Sequence, residues 1–164
     1  MAYVLNAIIG GRALLLGARV AEHWDVCVVE LAQGLGLVPV SDELHDRVCA
    51  VDGDRMGFWL LPGGFGDVLA GWSCSGPVAY VEADYFGGVG EQRVAVWDAG
   101  RLAFGPLYKG VDEAFPVEGS PISQALRYLG VQRGEHYDEF DAVGLLRHRR
   151  TEAWVEEAAA AGEK

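Results

Sequence analysis

Glu82 and Asp84 stand two residues apart in the segment VAYVEADYF, residues 78–86. On an extended strand that spacing puts both side chains on one face, about 7 Å apart. Carboxylates so placed can share acid–base work or grip a cation. Glu91 follows the glycine-rich connection GGVG, residues 87–90, and joins the pair if the chain turns back there. The competing reading is a solvated sheet face whose acids serve a partner, or pair with Arg93 and Arg101. Most exposed charge pairs are of that inert kind. The glycines would let a backbone approach a ligand. They join strand to strand, however, so no helix dipole awaits an anion.

A second group of candidates lies in EHYDEFD, residues 135–141. Tyr137, Asp138, Glu139 and Asp141 alternate acid with aromatic. That mixture suits an interface to a basic protein, where rings anchor and charges steer. The plain alternative is a solvated loop. The run RHRR, residues 147–150, follows and can pair with those acids or meet one anionic group.

Other chemistry is not spelled out. The histidines, at 23, 45, 136 and 148, show no metal-ligand spacing, and His45 with Cys49 offers at most two ligands on one helix face. An EF-hand loop starting at Asp52 fails at Met56 and Gly63, which leaves a turn. Gly64-Phe65-Gly66 has neither the remainder of a dinucleotide fingerprint nor a Walker lysine. Ser73, Ser75 and Ser120 sit outside any nucleophile elbow, and Cys74 has no readable base. No catalytic residue, metal ligand or cofactor is therefore assigned. The tryptophans, at 24, 59, 72, 97 and 154, read as core.

The elements that must position these residues are short. The sequence predicts a β-hairpin, 3–9 and 12–16, turning at Gly10-Gly11. Strands are expected at 25–31 and 35–40, then a helix from Ser41 with Leu44, Val48 and Val51 inward. Residues 58–61 form a short strand or buried run, and 65–72 a helix. Strands at 78–86, 92–98 and 101–104 make an antiparallel meander. In its first strand the face of Ala79, Val81, Ala83 and Tyr85 is expected to be the core face, since Glu82 and Asp84 mark the other as wet. A helix at 121–129 has Ser120 as cap, Pro121 at its first position and Gly130 beyond its end. A last helix begins after Thr151 and runs to Ala159. The fold class is α+β: an antiparallel sheet with two to four short helices on it, in one domain over residues 1–164, frayed at 160–164.

Bulk properties bound the function. The 164 residues are 51% hydrophobic, enough for a real core. A net charge of −11 disfavours nucleic acid and favours solubility or a basic protein partner. Three widely spaced cysteines suggest a reducing cytoplasm. The apolar N-terminal stretch is broken by Asn6, Arg12 and two glycines, which argues against a signal or a membrane span.

The segments AYVEADYFGGVGEQRVAVW, PISQALRYLGV and DEFDAVGLLRHRRTEAW resemble a pattern in small bacterial proteins. Some of these are similar in size and acidity to immunity proteins of bacterial toxin systems. The resemblance implies a cytoplasmic binding protein of the immunity or antitoxin kind, more readily than an enzyme. The resemblance carries no residue across; the acidic and aromatic pattern itself makes Glu82, Asp84, Glu91, Tyr137, Asp138, Glu139 and Asp141 the expected contact residues. The rival is a small enzyme or ligand-binding domain that uses Glu82, Asp84 and Glu91 around the glycine loop.

Overall fold

The computed structural model describes residues 2–21, 27–49 and 53–162. Six antiparallel strands form one sheet in the order β2-β3-β1-β4-β5-β6. They are β1 (Ala2–Gly11), β2 (Val29–Glu30), β3 (Leu35–Pro39), β4 (Val78–Phe86), β5 (Val89–Asp98) and β6 (Arg101–Lys109). The helices are α1 (Arg12–Ala21), α2 (Asp42–Val48), α3 (Phe65–Trp72), α4 (Pro121–Tyr128), α5 (Glu139–Val143) and α6 (Thr151–Gly162). The fold is α+β, with more helices than the two to four expected. Among the described residues no helix is long and apolar enough to cross a membrane.

Strand alternation sends side chains to both faces, and helices cover both. On one side Leu5, Ala7, Ile9, Ala79, Val81, Val94 and Val96 pack under α4, α5 and α6, whose Ile122, Leu126, Val143 and Trp154 are buried. On the other, Ile8, Val78, Tyr80, Ala95 and Trp97 pack under Leu15 of α1, Leu44 of α2, and Phe65, Leu69 and Trp72 of α3. The face of Val78 and Tyr80 is thus core as well, and Glu82 on that face is fully buried rather than wet.

The expected N-terminal hairpin is replaced by a strand and a helix. Gly10 and Gly11 are not a turn: β1 runs through both, paired with Gly36 and Leu35. Residues 12–16 begin α1, because Leu14, Leu15 and Ala18 recur at helical spacing and bury one stripe. Of the strand expected at 25–31, only Val29–Glu30 pairs, and Asp25 and Val26 lie outside the described residues. His23, Trp24, Val51 and Asp52 lie outside them too. Residues 58–61 form bends rather than a strand, with Phe58 and Leu61 buried. The remaining elements follow their local chemistry. Ser41 and Ser120 each accept a backbone N–H at 3.2 Å, from Leu44 and Ser123, capping α2 and α4. Gly87 and Gly88 take φ of 62° and 82°, so a two-residue turn joins β4 to β5.

β6 runs to Lys109, past the expected end at Phe104, and lies at the sheet's edge. The edge position lets it carry Pro106, which has no N–H to offer a ladder. At the middle of the sheet, β3 pairs only with residues 7–11 of β1. The gap beside residues 4–6 is filled from far along the chain. Val4 N–H donates to Arg149 O at 2.9 Å, Asn6 N–H to Thr151 Oγ1 at 3.0 Å, and Arg150 bridges Val4 in parallel.

Candidate functional site

The three carboxylates of the meander are not brought together for catalysis. Glu82 faces Arg93 in register, yet its carboxylate turns to the chain packed above the sheet. It accepts Trp59 N–H at 2.7 Å, Leu60 N–H at 2.6 Å and the Tyr80 hydroxyl at 2.8 Å. With no exposed surface and three donors, it has little capacity left for a ligand. Burial, then the charge and hydrogen bond of Glu82, raise the Tyr80 phenol well above its ordinary pKa. Asp84 is exposed and lies opposite Glu91 across the hairpin. Glu91 accepts the Tyr108 hydroxyl at 2.5 Å, which raises that phenol's pKa above 10.0. Arg93 lies over the rings of Trp59 and Tyr108, at 5.2 and 4.3 Å, and donates to Gly57 O. The arrangement pins the 57–60 segment to the sheet.

The acids of the second group have mostly intramolecular work. Asp138 caps α5 by accepting Asp141 N–H at 2.8 Å. Glu139 is buried and pairs with Arg127 at 3.1 Å, while Arg127 also donates to Glu118 O at 2.9 Å. Asp141 lies 3.2 Å from His136 Nδ1 and accepts Tyr137 N–H at 3.4 Å. Tyr137 is left standing free, 87% exposed. The basic run does not pair with these acids. Arg147 and His148 both meet Glu157 of α6, each at 2.9 Å.

Tyr137, Asp138 and Glu139 nevertheless share a place. They line a cleft of about 530 Å³ between α4, α5 and the loop 111–119. Phe115, Pro116 and Val117 line it together with Ser120, Ser123, Arg127 and Arg133. A second, more apolar pocket of about 300 Å³ continues from it, sharing Phe115, Ser120, Tyr137 and Asp138. Tyr3, Tyr85, Gly88, Phe140 and Leu146 line this part, with Gln92 and Arg149. No free backbone donor greets an anion at α4. Ile122 N–H is bound to Gln92 Oε1 at 2.8 Å, Ser123 N–H to Ser120 Oγ, and Pro121 has none.

Of the seven singled-out residues, the structure gathers three at this cleft, beside residues that sequence reasoning passed over. Phe115 and Val117, exposed apolar side chains in the loop DEAFPVEG, carried a signal: nothing in that polar stretch calls for them as core. Leu146 carried none: the sequence shows two adjacent leucines, and only the fold buries Leu145 and leaves Leu146 open. Among the described residues no group of three or more His, Cys, Asp or Glu is placed to hold a metal ion. The Cys49 thiol accepts Gly63 N–H at 3.1 Å, and His45 lies 3.3 Å from its neighbour Asp46. No family model, curated protein or solved structure is found to match the chain.

Proposed function

We propose that the chain is a cytoplasmic binding protein of the inhibitor kind, immunity protein or antitoxin, that covers a basic protein partner with the face around this cleft. One observation carries the reading. Phe115, Val117, Tyr137 and Leu146 are exposed around the joined pockets. Phe86 and Val89 are exposed on either side of the Gly87–Gly88 turn, whose Gly88 lines the apolar pocket. Exposed apolar side chains gathered at a concave site mark recognition. Their setting in a chain of net charge −11 suits a basic surface, with the acids steering approach and the rings supplying contact. The carboxylates that a small enzyme would use are engaged or apart: Glu82 takes three donors, Asp84 is open to solvent, and Glu91 accepts the Tyr108 hydroxyl.

The test is capture with the tagged chain from its source cell at low and high salt, repeated with Tyr137→Ala and with Leu146→Asp. The expected partner is basic, is released at high salt, and is held at least tenfold more weakly by either variant. A partner whose affinity neither variant changes, or one indifferent to salt, would overturn the reading. Alanine at Asp84, which is exposed and whose side chain has no fold contact to lose among the described residues, should lower the salt dependence of binding.

A further inference from the structure

We propose that the sheet face behind the β4–β5 hairpin takes an arginine side chain of the bound partner, clasped between Asp84 and Glu91. The anchor presupposes the basic partner argued above and names the group by which that partner docks. Ala83, Tyr85 and Gln92 face the apolar pocket, so alternation sends Asp84 and Glu91 to the opposite side of the same hairpin. A partner that reaches over the Gly87–Gly88 turn meets both sides.

This second face is only half covered. Glu82 and Arg93 lie under the 57–60 segment, and beyond them, toward the turn, the sheet is bare. β1 alternates there, with Ala2 and Val4 exposed and Tyr3 and Leu5 buried. In register, Val4 stands beside Asp84, Asp84 beside Glu91, and Phe86 beside Val89. Phe86 is 74% exposed and Val89 57%. Apolar side chains left together on an open sheet mark a contact surface.

Charge names what covers it. Asp84 and Glu91 are directly opposite across the hairpin, which sets their Cβ atoms about 4.5–5.5 Å apart. Like charges so placed destabilise a sheet. Neither forms an ion pair among the described residues. The Tyr108 hydroxyl occupies Glu91 Oε2 and brings no charge. Arg93 is committed to Gly57 O and to the rings of Trp59 and Tyr108. Arg150 stands beyond Val4, one strand further from Asp84. The group that completes the pair is a cation from outside. A guanidinium offers parallel N–H pairs to the two carboxylates, and its flat face suits a ring such as that of Phe86. An ammonium is a hydrated point charge that gains less from such neighbours. A second copy of the chain, related by a two-fold axis through this face, would set acid against acid. Nucleic acid or anionic lipid would be repelled.

The experiment titrates the capped tripeptide Leu-Arg-Leu, and separately its neutral citrulline analogue, into the isotope-labelled full chain at low salt, following chemical shifts. Asp84→Asn and Phe86→Ala are titrated in parallel. The expected result is shifts centred on Val4, Asp84, Phe86 and Val89, with the arginine peptide about fivefold tighter, the upper worth of an exposed ion pair. Asp84→Asn should cut that preference below about twofold and leave the thermal midpoint equal or higher, since a like-charge contact is relieved. Phe86→Ala should weaken both peptides alike. Shifts centred elsewhere, equal binding of the two peptides, a preference that survives Asp84→Asn, or a midpoint lowered by it would overturn the anchor. So would calcium chloride moving these signals where the peptide does not. The two readings fail separately. A basic partner whose capture needs Tyr137 but is indifferent to Asp84→Asn removes the anchor and leaves the cleft, and arginine-selective binding without a captured basic partner does the reverse.

Discussion

Replacing the buried Glu82 by alanine should destabilise the fold more than almost any other single substitution of a charged residue in this chain. The carboxylate takes three donors, two backbone N–H groups and a phenol, at 2.6–2.8 Å. Hydrogen bonds to a charged group contribute about 1.5–3 kcal/mol each, which sets an upper limit near 9 kcal/mol. Two effects reduce it. Trp59 is 39% exposed and Leu60 half-buried, so water can reach part of what Glu82 abandons. Desolvating the carboxylate also costs several kcal/mol in the folded state, and that penalty disappears with it. The net loss should be about 3–5 kcal/mol, a large part of the 5–15 kcal/mol typical of a domain. With a urea slope of about 2 kcal/mol/M, the midpoint should fall by roughly 2 M. Glu82→Gln keeps the shape but turns an N–H₂ toward a donor, and should cost about 2–3 kcal/mol. Tyr80→Phe removes one donor and should cost about 1 kcal/mol. The assay is equilibrium urea unfolding followed by tryptophan fluorescence. A loss below about 1 kcal/mol for Glu82→Ala would refute the reasoning, as would a Tyr80→Phe loss equal to it.

Three further outcomes are expected. Burial raises the phenols of Tyr3 and Tyr80 above 10.0, so above that pH the unfolded chain sheds protons that the folded one keeps. Their contribution to stability is full below pH 10.0 and is lost as pH rises beyond it, so tyrosinate absorbance for these two should appear only with alkaline unfolding. An early titration of both rings without loss of structure would contradict their burial. Gly90→Ala would set a methyl 2.0 Å from Asp84 O, and should lower stability by about 3 kcal/mol or more by thermal melting. Ser120→Ala should cost about 1 kcal/mol through the lost cap of α4, with restoration by threonine or aspartate.

Where local chemistry decides an element, the chain can be read directly. Ser120, Pro121 and Gly130 bracket α4, and strict alternation on either side of Gly87-Gly88 defines the β4–β5 hairpin. Where several local patterns fit, tertiary packing decides. Leu14, Leu15 and Ala18 suit a strand or a helix, and only the cluster they join shows which. Glu82 misleads for a related reason: alternation marks a carboxylate as wet, and nothing near it announces that Trp59 and Leu60 will deliver two N–H groups from above. The cleft is half legible. Tyr137, Asp138 and Glu139 are consecutive and stand out together, but Phe115, Ser123 and Leu146 come from three separate segments, and only the fold joins them.

The seam at the centre of the sheet sets a timetable for the chain. Asn6, on the first strand, waits for a partner 145 residues later before its N–H is satisfied. During synthesis this stretch of β1 leaves the ribosome long before residues 149–151 exist, with one open edge beside a fully apolar neighbour in Leu5. Contacts so distant close slowly, and an unpaired edge held open is a template for unwanted pairing. The final sealing is therefore a late event, and a nascent chain stalled before residue 149 should be a far better chaperone or protease substrate than one in which residues 149–151 have closed the seam.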